Sequence, residues 1–201
     1  MFTGIVQATG QITHQEPLGQ GRRLSVEAQE LGLAEVKLGD SIAINGACMT
    51  VVAKSESGFQ VDVSAESLSK TAGLDALGPV NLEKAMRLGD RVDGHLVSGH
   101  VDGVGTVVVM EPVGESWRLV VRAPLDLARY LAYKGSITVN GVSLTINAVA
   151  DQPEGTEVSI NLIPHTVAVT TLKHLVAGSR VNLEIDTIAR YVERMLALRG
   201  E

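Results

Sequence analysis

Cys48 and Ser143 are the first candidates for chemistry, because each closely follows an Asn-Gly pair, in Asn45-Gly46-Ala47-Cys48-Met49-Thr50-Val51 and in Asn140-Gly141-Val142-Ser143-Leu144-Thr145. A thiol in one place and a hydroxyl in the other can serve as nucleophiles or proton carriers; as plain structure they are two small residues packed beside a turn. His95 and His100 lie in Gly94-His95-Leu96-Val97-Ser98-Gly99-His100-Val101-Asp102-Gly103, where glycines allow the backbone to approach another group closely. Asp93 and Asp102 beside them suggest a metal site, but no Cys/His set has structural-zinc spacing, so no metal is expected. Ser143, a histidine and an acid suggest a triad, yet the G-x-S-x-G elbow is absent. Gly103-Val104-Gly105 and Gly19-Gln20-Gly21 lack the third glycine and the strand–helix setting of a dinucleotide fingerprint.

The elements that position these residues are written twice. Shifting the chain by 95 positions lays Leu38–Val51 on Tyr133–Ile146 without a gap, and Gly4, Val6 and Gly10 on Gly99, Val101 and Gly105. At the same offset Arg23, Leu24, Val26 and Ala28 fall on Arg118, Leu119, Val121 and Ala123. Val80-Asn81-Leu82-Glu83 returns intact as Val181-Asn182-Leu183-Glu184 at an offset of 101. The period is far too long for a solenoid unit, so each copy is a small domain with its own core. Two similar halves imply two similar pockets.

Composition narrows the function. With 17 basic and 23 acidic residues the net charge is −6, and aromatics make up only 3%. A phosphate backbone asks for a basic face, and single strands for stacking aromatics, so a nucleic-acid-binding barrel is disfavoured. A single cysteine forbids an intramolecular disulfide and suits a reducing compartment. No basic start with an apolar signal region and no apolar run of membrane-spanning length is present, which makes a cytoplasmic protein the expectation.

The local signals are strands and turns. Ser41–Ile44, the Asn45-Gly46 turn and Met49–Val51 read as a hairpin, since Asn-Gly supplies the positive φ angles of a type I′ turn; the second copy repeats it at Asn140-Gly141. Further strands are expected at Gly4–Ile12, Arg23–Ala28 and Gln60–Ser64, and at Val101–Met110, Trp117–Ala123 and Glu157–Leu162. About six strands in each half with little helix point to an all-β protein of small closed barrels. Pro124 opens a short helical turn over Leu125–Leu131. From Ile188 the apolar residues Ile188, Tyr191, Val192, Met195 and Leu196 form a one-sided helical stripe after a cap at Asp186. That stripe must bury itself against a barrel or against copies of itself.

The opening Met1-Phe2-Thr3-Gly4-Ile5-Val6, both Asn-Gly hairpins, Gly94–Val101, Leu162-Ile163-Pro164-His165-Thr166 and Val181–Asp186 together closely resemble the riboflavin synthase (alpha chain) family, from the first residue to the terminal helix. The resemblance implies two homologous six-stranded Greek-key closed barrels in tandem plus a C-terminal α-helix, with lumazine-binding barrels at 1–93 and 94–186 and an oligomerisation helix at 187–201. It implies a homotrimer, in which the working site forms where the first barrel of one chain meets the second barrel of a neighbour, and a possible lumazine synthase capsid as partner. The implied reaction is the dismutation of two molecules of 6,7-dimethyl-8-ribityllumazine, by transfer of a four-carbon unit, to riboflavin and 5-amino-6-(D-ribitylamino)uracil. The substrate supplies its own electron sink through its acidic 7-methyl group, so no cofactor is implied.

Transferred onto matching positions, Phe2 supports the ring at the first-barrel site, which Gly4, Ile5, Val6, Cys48, Met49, Thr50 and the run Asp62-Val63-Ser64-Ala65-Glu66-Ser67 line. Gly99, His100, Val101, Lys134, Ser143, Leu144, Thr145 and the run Leu162-Ile163-Pro164-His165-Thr166-Val167 do the same for the second barrel. Cys48, His100, Ser143 and Asp186 are the candidates for proton transfer or nucleophilic assistance, with Asp186 near the junction. Ser67 stands where the family usually has threonine, and Ala47 where a second cysteine is common. The alternative on the same scaffold is a non-catalytic lumazine or flavin carrier. Such carriers typically lose the Gly-His…Gly-His stretch, whereas His95, His100, Cys48 and Ser143 are all present here.

Overall fold

In a computed structural model, which describes residues 1–198, the chain forms two closed six-stranded antiparallel barrels followed by a helix. The first barrel comprises β1 (Ala8–Leu18), β2 (Gly21–Glu27), β3 (Ser41–Ile44), β4 (Ala47–Lys54), β5 (Gly58–Val63) and β6 (Gly78–Lys84), joined around the circle as β1-β2-β5-β4-β3-β6. The second comprises β7 (Gly103–Val113), β8 (Ser116–Ala123), β9 (Ser136–Val139), β10 (Val142–Gln152), β11 (Gly155–Leu162) and β12 (Arg180–Ile185) in the equivalent circular order β7-β8-β11-β10-β9-β12. Two short helices, α1 (Ala65–Lys70) and α2 (Pro164–Val169), occupy equivalent places after β5 and β11, and α3 (Thr187–Ala197) follows the second barrel. The end of the expected helical segment, residues 199–201, lies outside the described residues. No described helix is long and apolar enough to cross a membrane.

Short strands close because each copy is bent at the same two places. Register shifts occur at Ile12/His14 and Val51/Ala53 in the first barrel, and at Val107/Val109 and Ile146/Ala148 in the second. A bulge adds one residue to a strand and sharpens its local twist, which is how a small sheet curls onto itself. The Asn-Gly tips take the expected left-handed angles, with φ of 46° and 83° at Asn45 and Gly46 and of 49° and 78° at Asn140 and Gly141. Inside, Leu24, Val26, Ile42, Ile44, Val61 and Leu82 fill one core, and Leu119, Val121, Ile137, Val139, Ile160 and Leu183 fill the other.

The barrels are sewn together by a pseudo-symmetric set of buried asparagines. Asn81 donates its side-chain amide to the Asn140 carbonyl at 2.9 Å, and its amide oxygen accepts from Thr171 N–H at 2.8 Å. Asn182 mirrors it, donating to the Asn45 carbonyl at 2.9 Å and accepting from Ala72 N–H at 2.7 Å. Between them the two glycine tips touch, since a Cβ on Gly46 would lie 2.8 Å from the Gly141 nitrogen. Each such bond contributes about 1 kcal/mol when made, while a buried partner left alone costs about 1–3 kcal/mol. Each half therefore depends on the other for its polar satisfaction.

Two expected strands begin later than the sequence suggested. Residues 4–7 and residues 101–102 lie outside the ladders; only an isolated bridge pairs Phe2 with Val97. The cause is a buried carboxylate in each barrel. Glu83 on β6 accepts Thr3 N–H at 2.7 Å and Gly4 N–H at 3.0 Å, and Glu184 on β12 accepts Ser98, Gly99 and His100 N–H at 2.6, 3.0 and 3.1 Å. Backbone amides that would otherwise enter a sheet are captured by these side chains.

Candidate active site

That capture aims each leading segment at the opposite barrel. Gly99, held by the second barrel's Glu184, accepts the Cys48 N–H through its carbonyl at 2.7 Å, and Val101 packs on the first core. Gly4, held by the first barrel's Glu83, accepts the Ser143 N–H at 2.7 Å, and Val6 packs on the second core. Only glycine fits either crossing. At Gly99 φ is +79° and a Cβ would come within 2.7 Å of the Cys48 Cβ; at Gly4 φ is +75° and the same distance separates it from the Ser143 Cβ. The expected assignment is thus exchanged: Gly4-Ile5-Val6 belongs beside Ser143 in the second pocket, and Gly99-His100-Val101 beside Cys48 in the first.

Cys48 lies half-buried on β4, on the face turned away from the first core, because its neighbours Ala47 and Met49 point inward. Phe2 is fully buried behind it with Ala43 and Val97, so it supports the site from below. A cavity of about 220 Å³ opens here, lined by Cys48, Gly99, His100 and, from α1, Glu66, Ser67 and Lys70. Helix α1 starts where it does because Ser64 Oγ accepts the Ser67 N–H at 3.1 Å. Thr50 is exposed on the same face of β4. Asp62 is exposed and is tied to Arg23 at 2.7 Å, which lowers its pKa, while Val63 points into the core.

The second pocket repeats this plan with different reactive atoms. Ser143 and Thr145 occupy the positions of Cys48 and Thr50, and Leu144 points inward like Met49. From the β11–α2 junction Ile163 and His165 are exposed, Thr166 is half-buried and Leu162 and Val167 join the core; Pro164 opens α2. The addition is His95, whose Nδ1 lies 2.7 Å from Ser143 Oγ. Its backbone N–H donates to the Thr3 carbonyl at 3.1 Å, and Gly94 lets it approach, since a Cβ there would lie 2.1 Å from that oxygen. Burial lowers the His95 pKa and so favours neutral imidazole, while the nearby charge of Asp186 partly opposes this. The other ring nitrogen, Nε2, is buried without a partner among the described residues. Asp186 itself caps α3, accepting the Ile188 N–H at 2.9 Å.

A neutral imidazole in short contact with a hydroxyl is a proton-transfer pair. The sequence pairs His95 with His100 in the Gly-His…Gly-His stretch, but only His100 stands among the expected groups for proton transfer or nucleophilic assistance. Nothing in the internal repeat marks His95, because it precedes the second copy and its equivalent would precede Met1. Glu83 and Glu184 were legible in principle: a repeated Val-Asn-Leu-Glu puts polar residues into a strand buried on both faces.

Lys134 carries a different signal. Its φ is +63° in the turn where the first copy has Gly39 at +90°, and its ammonium lies 5.3 Å from the centre of the Tyr133 ring. A lysine kept in a conformation suited to glycine costs about 1 kcal/mol or more, and such costs collect at functional positions.

Two crossed pockets on paired barrels place the chain in the class of doubled lumazine-binding proteins, and the Lumazine binding domain family matches it twice, at residues 3–85 and 98–186. The structure superposes on LumP complexed with 6,7-dimethyl-8-(1'-D-ribityl) lumazine with a TM-score of 0.81, at 27% identity over 92% of this chain and 99% of LumP. The riboflavin-complexed LumP gives 0.82 at 28% identity over the same shares. Curated riboflavin synthases are more similar in sequence: that of Mycobacterium bovis is 46% identical over 100% of both chains, and that of Photobacterium phosphoreum 46% identical over 98% of this chain and 89% of its own. The chain belongs to the riboflavin synthase family.

Proposed function

We propose that the chain catalyses the riboflavin synthase reaction, in which two molecules of 6,7-dimethyl-8-ribityllumazine yield riboflavin and 5-amino-6-(D-ribitylamino)uracil. The single observation that carries this reading is the pairing of one scaffold with two reactive settings: a thiol beneath Gly99-His100 in the first pocket, and the His95–Ser143 pair in the second. A dismutation needs two copies of one substrate treated differently, and matched but unlike pockets supply that asymmetry. One lumazine surrenders a four-carbon unit and becomes the uracil; the other accepts it and becomes riboflavin, so atoms balance without an external oxidant.

Most of the rate is expected from proximity, since holding two reactants in register can contribute about 7–11 kcal/mol. Proton movement contributes less. The 7-methyl group is acidic because its anion delocalises into the ring, and neutral His95, relayed through Ser143, is suited to take that proton. Cys48 and His100 face the partner ring. We assign the exposed stripe of α3 to trimer formation, which brings the first pocket of one chain to the second pocket of its neighbour. Ile188, Tyr191 and Met195 are each about 60% exposed, so the stripe is not docked on its own barrel. A cytoplasmic location fits the free thiol.

The decisive test mixes the purified protein with 6,7-dimethyl-8-ribityllumazine and quantifies products by chromatography. Two lumazines consumed for each riboflavin and each uracil support the reading. Tight binding without product would identify a carrier instead. Ser143→Ala and Cys48→Ser should lower turnover more than lumazine affinity.

A further inference from the structure

The segment 98–102 reaches the Cys48 pocket, and its far end is fastened to the terminal helix. Asp102 divides its carboxylate between two partners: Oδ2 accepts the Ile185 N–H at 2.9 Å, and Oδ1 accepts from the Arg190 guanidinium of α3. Asp102 is largely buried, with 12% of its side chain exposed, and Arg190 is partly covered at 43%. Glu184, which holds Ser98, Gly99 and His100, is a second carboxylate close enough to Asp102 and Arg190 for their charges to be felt. Thr187 adds a longer hydroxyl contact to Ser98 at 3.4 Å. The first half offers a control within the same molecule. There the equivalent residue is Gln7, whose Oε1 accepts the Lys84 N–H at 3.0 Å, and no helix follows β6 to grip it.

We infer that Arg190 is a positioning residue: by pinning Asp102 it fixes the Gly99-His100 lid over Cys48, so that the helix presented to neighbouring chains also sets the geometry of the first pocket. Without the guanidinium, the largely buried Asp102 carboxylate keeps only the Ile185 N–H, and the lid loosens. The function of that pocket rests on the lumazine reading above; the pin itself does not.

Cys48, the chain's single cysteine, makes the lid observable without turnover. The full-length protein is treated with iodoacetamide, and the rate of Cys48 alkylation is followed by mass spectrometry. Arg190→Ala should raise that rate about fivefold, as expected when a local contact opens more often, and lower kcat about tenfold, or about 1.4 kcal/mol. Arg190→Lys should recover most of both, because a point charge still reaches the carboxylate. Glu193→Gln cuts a tie of the same helix that does not reach the lid, to Arg129 at 2.9 Å, and should leave alkylation unchanged. Wild-type alkylation in Arg190→Ala, an equal rise in Glu193→Gln, or a loss of turnover that follows loss of assembly mass would each overturn the inference. A wild-type chain without turnover whose Cys48 still responds to Arg190→Ala would remove the catalytic reading and leave the pin standing.

Discussion

The two pockets share their architecture and differ in nearly every reactive atom. Each is covered by a glycine segment held by the other barrel's buried glutamate, and each presents a small polar residue from the strand after an Asn-Gly turn. The first has a thiol, a charged rim of Glu66 and Lys70, and a lid pinned by α3. The second has a hydroxyl backed by His95, and the junction and helix equivalent to α1 carry exposed apolar residues there, Ile163 and Val169. The scaffold answers to folding, which both halves must satisfy alike; the reactive groups answer to substrates that must meet different fates.

The strongest way to break the comparison is to fill the crossings. Gly99→Ala should cost about 3 kcal/mol or more, because a strained φ adds to a steric clash, and should strike the first pocket; Gly4→Ala should do the same to the second. Thermal unfolding with lumazine titration of each variant checks this, and identical site losses would dissolve the distinction.

The buried glutamates come next. Glu184 has its pKa raised from the ordinary 4.5 to about 7, chiefly by burial. A carboxyl whose folded pKa is raised contributes stability fully present below about 4.5 and lost as pH climbs through about 7. That difference amounts to about 3 kcal/mol. Unfolding free energy measured from pH 4.5 to 8 should therefore lose a downward component in Glu184→Gln relative to wild type. Glu83 is shifted in the same direction, so Glu83→Gln should flatten the profile in the same sense.

His95→Ala should lower kcat about a hundredfold through loss of a proton-transfer partner, with lumazine affinity little changed; Cys48→Ala should do less. Equal losses would show that the pockets do not divide the work. The smallest effect separates stability from function: Lys134→Gly should stabilise the fold by about 1 kcal/mol by relieving the left-handed lysine, yet reduce turnover, as chemical denaturation and steady-state assay would show.

The repeat made much of this legible. Val-Asn-Leu-Glu written twice, the paired Asn-Gly turns and the Gly4/Gly99 correspondence announced two equivalent barrels, and the Asp186 cap with its apolar stripe announced α3. Cys48 and Ser143 stood out because the same offset laid one on the other. The exchange of Gly4–Val6 and Gly99–Val101 between barrels was not legible, since within one strand pattern a residue that continues a sheet and one that leaves it look alike. The partner of His95 escaped for a related reason: the ring meets Ser143 across 48 residues of chain.

The sequence by itself determined the local chemistry: which residues turn, which alternate into a core, which carry a thiol, hydroxyl or imidazole, and that all of it occurs twice. Those properties depend on neighbours a few positions away, so they survive in a linear reading. Only the tertiary structure decided which half completes which pocket, because that choice is made by two buried carboxylates capturing backbone amides 79 to 86 residues distant. Burial makes an unpaired carboxylate or amide too costly to leave, so each half's leading segment is held at the end of its own barrel, from where the Gly4 and Gly99 carbonyls reach Ser143 N–H and Cys48 N–H of the other.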